Sequence, residues 1–299
     1  MKRKSRHSNF SLVLVCLLPF YVLFAAFYLV PIAYGIVMSL YNVGIELDVF
    51  IGVQNFIDLA SDRLFWISFR NTLLYVVVMA VGGFGPILVA GILELHLSEN
   101  DRFRRIYYSV TLAPWVVSWV SLGFAWRFLF SSYIPAGYEA IQNVVPLSGE
   151  FGNPLNSPDL ALPMVALVWL WTWFGFNILL LKAGMKSVDP ALIEAARVDG
   201  ARNLRIFFGI IIPAMLPYVV FMATMGFIWT FQIFDPIWLL TGESGGPGGW
   251  TTSSLTYLMV KEAKSYFRFG YASAMGVVVS LFVLAVSLTQ FRLMYKRLV

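Results

Sequence analysis

Between Asp189 and Arg205 the chain gathers residue types suited to a specific protein contact. Glu194, Arg197, Asp199 and Arg202 supply both signs of charge, and the small residues Ala195, Ala196 and Gly200 lie among them. Small side chains let a second backbone approach closely, while fixed charges around them select the partner. That is recognition chemistry, without bond making. Covalent chemistry has no comparable cluster: His7 and His96 each stand alone in polar segments, and neither a Ser, His and Asp set nor paired carboxylates can be discerned. No metal site is suggested. Cys16 is the only cysteine, which excludes an intrachain disulfide and a thiolate metal cluster. The run from Gly242 to Gly249 is glycine-rich, yet it lacks the Gly-Lys-Ser/Thr ending of a phosphate loop. Any ATP chemistry would need another polypeptide.

The element that must hold the charged cluster is a short helix. Asp189-Pro190 sets a good N-cap residue before a proline at the first helical position. Val188 and Ile193 have the spacing of a hydrophobic staple. The helix continues through Val198 until Gly200 interrupts it. Around it the chain is too apolar for water: 59% of its 299 residues are hydrophobic and 12% are charged. Six segments, at roughly 11–38, 72–95, 106–130, 160–183, 206–232 and 270–291, approach or exceed the ~20 residues that cross a bilayer. The expectation is an all-α integral membrane protein with six transmembrane helices. Pro114 interrupts the third span, and Pro213 and Pro217 the fifth, so kinks are expected there. Residues 2–7 before a long apolar run resemble a signal peptide, but Phe10 to Leu40 is far longer than a cleavable core and reads as a retained first helix.

Positive residues set the expected orientation, because Lys and Arg accumulate on the cytoplasmic side. The amino terminus, the segment Arg102–Arg105, the loop from Lys182 to Arg205 and the carboxyl tail together hold fifteen of the 21 Lys and Arg residues. The alternate loops hold only Arg63, Arg70, Lys261, Lys264 and Arg268, and Arg127 falls in the third span, where it reads as snorkelling. Both termini are therefore expected in the cytoplasm. The net charge of +5 reads as topology and implies no nucleic acid. Ser131 to Asp159 carries no Lys or Arg, is broken by Gly and Pro, and reads as an irregular outer loop. The division expected is an N-terminal tail, first helix and outer loop (1–70), a five-helix block (71–292) with a cytoplasmic segment at 184–205, and a short tail (293–299).

Glu194-Ala195-Ala196, then Gly200, then Ile210 and Pro213 resemble the EAA signature of binding-protein-dependent ABC importer permeases, with Ile212 replacing the signature's leucine. Phe234-Asp235-Pro236, Leu240-Thr241-Gly242 and the glycine-proline run to Gly249 are similar to the carbohydrate-type subfamily. Gly52-Val53-Gln54-Asn55-Phe56 and Asn71-Thr72 resemble that subfamily's first outer loop and second-span entry. The likeness covers most of the chain and the maltose- and glycerol-phosphate-type sugar permeases are its nearest pattern. It implies a type I importer permease fold and a role as a non-catalytic half-pore in a bacterial or archaeal cytoplasmic membrane. The implied partners are a second, different permease, two ABC ATPase subunits that use ATP and Mg, and an extracytoplasmic solute-binding protein delivering sugar. Glu194, Ala195, Ala196, Arg197, Asp199, Gly200 and Arg202 would then form the ATPase-coupling segment.

The pathway is harder to read. The fourth span is unusually aromatic (Trp169, Trp171, Trp173, Phe174, Phe176), which suits sugar stacking but equally suits helix packing or interfacial anchoring. Trp173, Thr172 and Asn177, with Gln232 and Asp235 near the outer end of the fifth span, are the pathway candidates, Thr172 and Asn177 foremost because uncharged polar groups at depth must find partners or face a cavity. Asp235 and Gln232 are equally suited to capping. The rival readings are an amphipathic surface helix at 189–205, a secondary transporter, a scaffold subunit, and an importer of an amino acid, peptide or phosphate ester. No span carries the central acid expected of a secondary transporter.

Overall fold

Long apolar runs form helices because a helix satisfies its own backbone hydrogen bonds where water is absent. The computed structural model describes residues 6–44, 48–96, 102–130 and 153–298. Within these the chain forms two units, Met1–Asp62 with Met259–Leu281, and Arg63–Leu258 with Phe282–Val299.

The first unit opens with α1 (Arg6–Phe24), a π turn (Ala25–Leu29) and α2 (Val30–Met38), one continuous rod. No residue in the apolar window of its candidate span Val15–Met38 is buried. The π turn has a local cause. The Val30 N–H bonds the Ala25 carbonyl five residues back, directly before Pro31, whose ring would otherwise press on the carbonyl four residues behind it. Beyond α2, β1 (Tyr41–Asn42) pairs antiparallel with β2 (Val49–Phe50), the only strands among the described residues. Asn55, on α3 (Gln54–Ser61), donates to the carbonyls of Ser39 and Tyr41 at 2.9 Å each, tying this ribbon to the helix end. The loop before α15 (Phe269–Leu298) adds a charged knot. Arg268 Nη1 lies 3.1 Å from Glu262 Oε2, and the Tyr271 hydroxyl donates to Asp62 Oδ2 at 2.6 Å. Burial pushes the Glu262 carboxyl above its ordinary pKa, and Arg268 opposes that rise.

The second unit is a helix bundle. In it α4 (Arg63–Gly82), α5 (Phe84–His96), α6 (Arg102–Val116) and α7 (Trp119–Phe130) precede α8 (Ala161–Met185), the most buried span. A methyl group at Gly175 of α8 would stand 1.9 Å from the Thr111 carbonyl oxygen, so α6 and α8 meet backbone to backbone. After α8 come α9 (Pro190–Val198), α10 (Asn203–Ile206), a second π turn (Phe207–Ile211), α11 (Ile212–Ala214), α12 (Leu216–Phe231), α13 (Asp235–Thr241) and α14 (Leu255–Lys264). The second π turn repeats the first: the Ile212 N–H bonds the Phe207 carbonyl immediately before Pro213.

Among the described residues four helices are long and apolar enough to cross a membrane, and up to six if each bent pair counts as one span. The bends fall where prolines lead. Asn203–Ala214 and Leu216–Phe231 meet at 68°, between Pro213 and Pro217. The third span turns by 102°, but Pro114 stays inside α6 and the chain breaks just beyond it, at Val117 and Ser118. Helix α4 begins at Arg63, so residues 63–70 are its first turns and the second span starts earlier than hydropathy alone suggests. The expected outer loop from Ser131 onward lies, up to residue 152, outside the described residues.

Candidate functional site

Helix α9 is built by its ends. Asp189 Oδ1 accepts the Ala191 N–H at 2.9 Å, and Pro190 occupies the first position, where no donor is needed. At the other end Ala201 N–H bonds the Ala196 carbonyl (2.9 Å) and Gly200 N–H the Arg197 carbonyl (3.0 Å), the paired closure that requires a left-handed residue. Gly200 supplies it with φ +77°. One face of α9 is fixed by packing. Val188, Ile193, Ala196 and Ala201 rest in a cluster with Leu181, Met185, Ile206 and Phe207.

The opposite face is open. Glu194, Ala195, Arg197, Asp199, Gly200 and Arg202 are exposed, and the four charged side chains make no ion pair or hydrogen bond among the described residues. Ala196 belongs to the packed face, half-buried, so of the small residues only Ala195 and Gly200 are presented. Three apolar side chains that the charge pattern did not single out join them: Leu192, Val198 and Leu204 are 56%, 87% and 73% exposed. The signal of the first two was available, since each falls off the 193/196 face. Exposed aliphatics rimmed by charge mark an interaction surface.

A second polar construction joins the two carbohydrate-type motifs. Ser68, Asn71, Thr72 and Tyr75 share one face of α4, and all four are buried. Asn71 Nδ2 donates to the carbonyls of Trp250, Thr251 and Ser253, each at 3.1 Å. Tyr75 donates to the Thr252 carbonyl at 3.0 Å, and Thr72 Oγ1 accepts the Leu255 N–H at 3.0 Å. The glycine-rich segment is therefore a turn clamped by α4, with Thr252 N–H returning to the Gly245 carbonyl.

The aromatic residues of α8 mostly pack on other aromatics. Trp173 lies between Trp115 and Trp229, with ring centroids 4.1 and 4.2 Å away, and Trp169 donates to Thr230 Oγ1 at 3.0 Å. Trp173 Nε1 is buried without a partner. The Thr172 hydroxyl is spent on the Val168 carbonyl of its own helix, at 2.9 Å. Asn177 is buried and lines a cavity of about 260 Å³ whose other walls are aliphatic and aromatic apart from Gln290, a residue the sequence reading passed over. Gln290 Oε1 is buried and has no hydrogen-bond partner among the described residues. Gln232 and Asp235 are exposed, at the end of α12 and the start of α13, and line no part of this cavity. No cluster of three or more His, Cys, Asp or Glu suited to a metal occurs among the described residues.

An apolar helical bundle carrying one exposed, charge-rimmed helix defines a polytopic membrane protein. Sequence comparison identifies the family: residues 86–298 match the profile described as "Binding-protein-dependent transport system inner membrane component", and the chain belongs to that family. It is an inner-membrane permease subunit of an ABC importer, and its family members are not catalytic. The chain is 29% identical to the osmoprotective compounds uptake permease protein GgtC of Synechocystis over 81% of its length and 85% of that protein. It is 27% identical to the lactose transport system permease protein LacF of Rhizobium radiobacter, over 91% of this chain and 90% of that one. In fold it matches a bacterial ABC transporter for import of the acidic polysaccharide alginate with a TM-score of 0.81, at 21% identity, over 97% and 96% of the two chains.

Proposed function

We propose that the chain is one half of the translocation pore of an ATP-driven sugar importer. The observation that carries coupling is α9: a helix seated by one face on the bundle, with unpaired charges, exposed Leu192 and Val198, and a glycine closure that leaves its end bare. Two cytoplasmic ATPases, using ATP and Mg, would receive the segment 184–205, with Glu194, Ala195, Arg197, Asp199, Gly200 and Arg202 as contacts and Ala196 as the seat. A second, different permease completes the pore. An extracytoplasmic binding protein delivers solute, in keeping with the family's description. Both termini face the cytoplasm in this reading. Sugar as the solute class rests on relatives such as the lactose permease and on the carbohydrate-type motifs clamped together at Asn71 and Trp250–Ser253. Of the pathway candidates, Asn177 is the one this reading keeps on the solute's route, in the 260 Å³ cavity, while Trp173 packs the wall behind it among other indoles. The relative named for osmoprotective compounds supports a second reading, an osmoprotective compound in place of a metabolic sugar.

Reconstitution tests the function. With its partner permease, two ATPases and the binding protein in vesicles, the chain should import labelled sugar only when ATP is inside and binding protein outside. Uptake driven by an ion gradient without ATP would overturn the proposal.

A further inference from the structure

A groove of about 600 Å³ runs between α4 and α8, lined at one end by Arg70 and Asp159 and along its length by Leu74, Val78, Ala166 and Leu170. Its chemistry changes with depth. Aliphatic or small apolar residues recur one turn apart on both helices, at 74 and 78 on α4 and at 162, 166 and 170 on α8, with Arg70 one turn before Leu74 and Asp159 just ahead of α8. Eight residues of helix rise about 12 Å, close to half of a hydrocarbon core ~30 Å thick. The apolar trough thus has the length of a single leaflet.

We propose that this groove holds one aminophospholipid, phosphatidylethanolamine, with an acyl chain in the trough and its headgroup between Arg70 and Asp159. The two charges at the mouth decide the class. Asp159 is exposed and makes no ion pair or hydrogen bond among the described residues, and Arg70 has one contact, to the side chain of its neighbour Asn71 at 3.3 Å. The two are not bonded to each other, although both line one opening. A zwitterionic headgroup answers both: its phosphate suits the guanidinium and its ammonium the carboxylate. An anionic lipid would satisfy Arg70 and be opposed by Asp159. A sugar fits the walls poorly, since besides the charged pair the polar side chains lining them are Asn71 and Thr251, both already bonded to backbone carbonyls, and no lining side chain is aromatic. A helix of the second permease is the competing occupant, because it too would cover aliphatic side chains.

The test uses the assembled importer purified into nanodiscs of equal phosphatidylethanolamine and phosphatidylglycerol, followed by mild detergent exchange and mass spectrometry of retained lipid. Wild type should keep phosphatidylethanolamine in preference to phosphatidylglycerol. Arg70→Ala should lower total retention roughly tenfold, the scale of one lost charge-assisted contact. Asp159→Asn should reverse the headgroup preference while keeping the lipid. Leu74→Trp, which fills the trough, should remove the lipid and leave the subunits together. Retention that is indifferent to headgroup and to both charge variants would overturn the proposal, as would Leu74→Trp separating the permeases with lipid content unchanged. None of these readouts depends on uptake, so the groove and the sugar reading fail separately.

Discussion

Gly200 is the residue on which α9 turns back, and its two possible roles separate experimentally. A methyl group built at this position meets nothing within 4 Å, so the resistance to a side chain inside this chain is conformational: φ +77° costs an L-residue about 1 kcal/mol or slightly more. Such a penalty leaves the bundle folded. Gly200→Leu should therefore insert at normal abundance yet lose sugar uptake, because the leucine would stand on the bare surface offered to the ATPase. Glu194→Lys should act through charge. Glu194 sits at the middle of α9, exposed, where its carboxylate is open to a cationic partner. Reversal should reduce ATPase co-purification as well as uptake, measured on the same membranes. Normal uptake in both variants would favour a helix that only lies on the membrane surface. These residues were legible in the sequence because capping is local. Leu192 and Val198 were open to the same reading, because they fall off the face that Ile193 and Ala196 bury, while Leu204 lies beyond α9 and its exposure was decided by packing.

Helices in this molecule are placed by contacts that leave little tolerance. Gly175→Ala sets a methyl group against the Thr111 carbonyl, a backbone atom that cannot rotate away, and α6 must separate from α8. The expected loss is about 3 kcal/mol or more, the range of a forced core rearrangement. Gly35→Ala on α2 is the control, because nothing lies within 4 Å of the new carbon and the substitution should be neutral or mildly stabilising. Thermal unfolding in detergent reads both, and equal melting temperatures would contradict the close approach of α6 and α8. At the start of α15 the Glu262 knot should show itself through pH. Its carboxyl is raised by burial, so its favourable contribution is complete below the ordinary value of 4.5 and is lost as pH climbs through the raised one. Glu262→Gln should gain stability relative to wild type as pH rises across that window. A constant difference between the two from pH 4 to 8 would mean that the carboxyl does not titrate with folding.

For the molecule as a whole, orientation is the property most open to a simple test. Fifteen of 21 Lys and Arg occupy the segments that six spans with cytoplasmic ends would place inside. Reporter domains fused after Val299 and inserted at Gly149 should give opposite accessibility. Identical signals would refute the arrangement, and the 102° turn between α6 and α7 would then be read as a re-entrant loop that does not cross.

Composition and hydropathy determined that the chain lives in a bilayer, and the spacing from Asp189 to Pro213 determined the one helix that must remain outside it. Both follow from local physics: a ~20-residue apolar run and a capped helix are specified by neighbours along the chain. Tertiary structure alone decided what those elements do to one another. It brought Asn71 to Trp250, 179 residues away, and so bonded the second-span entry to the chain just beyond the glycine-proline run. It turned Ala196 inward, sealed Trp173 among other indoles, and set Asn177 and Gln290 on a shared cavity. Hydropathy could not have chosen among these outcomes, because in a chain apolar on every side the pattern does not say which face meets lipid and which meets protein.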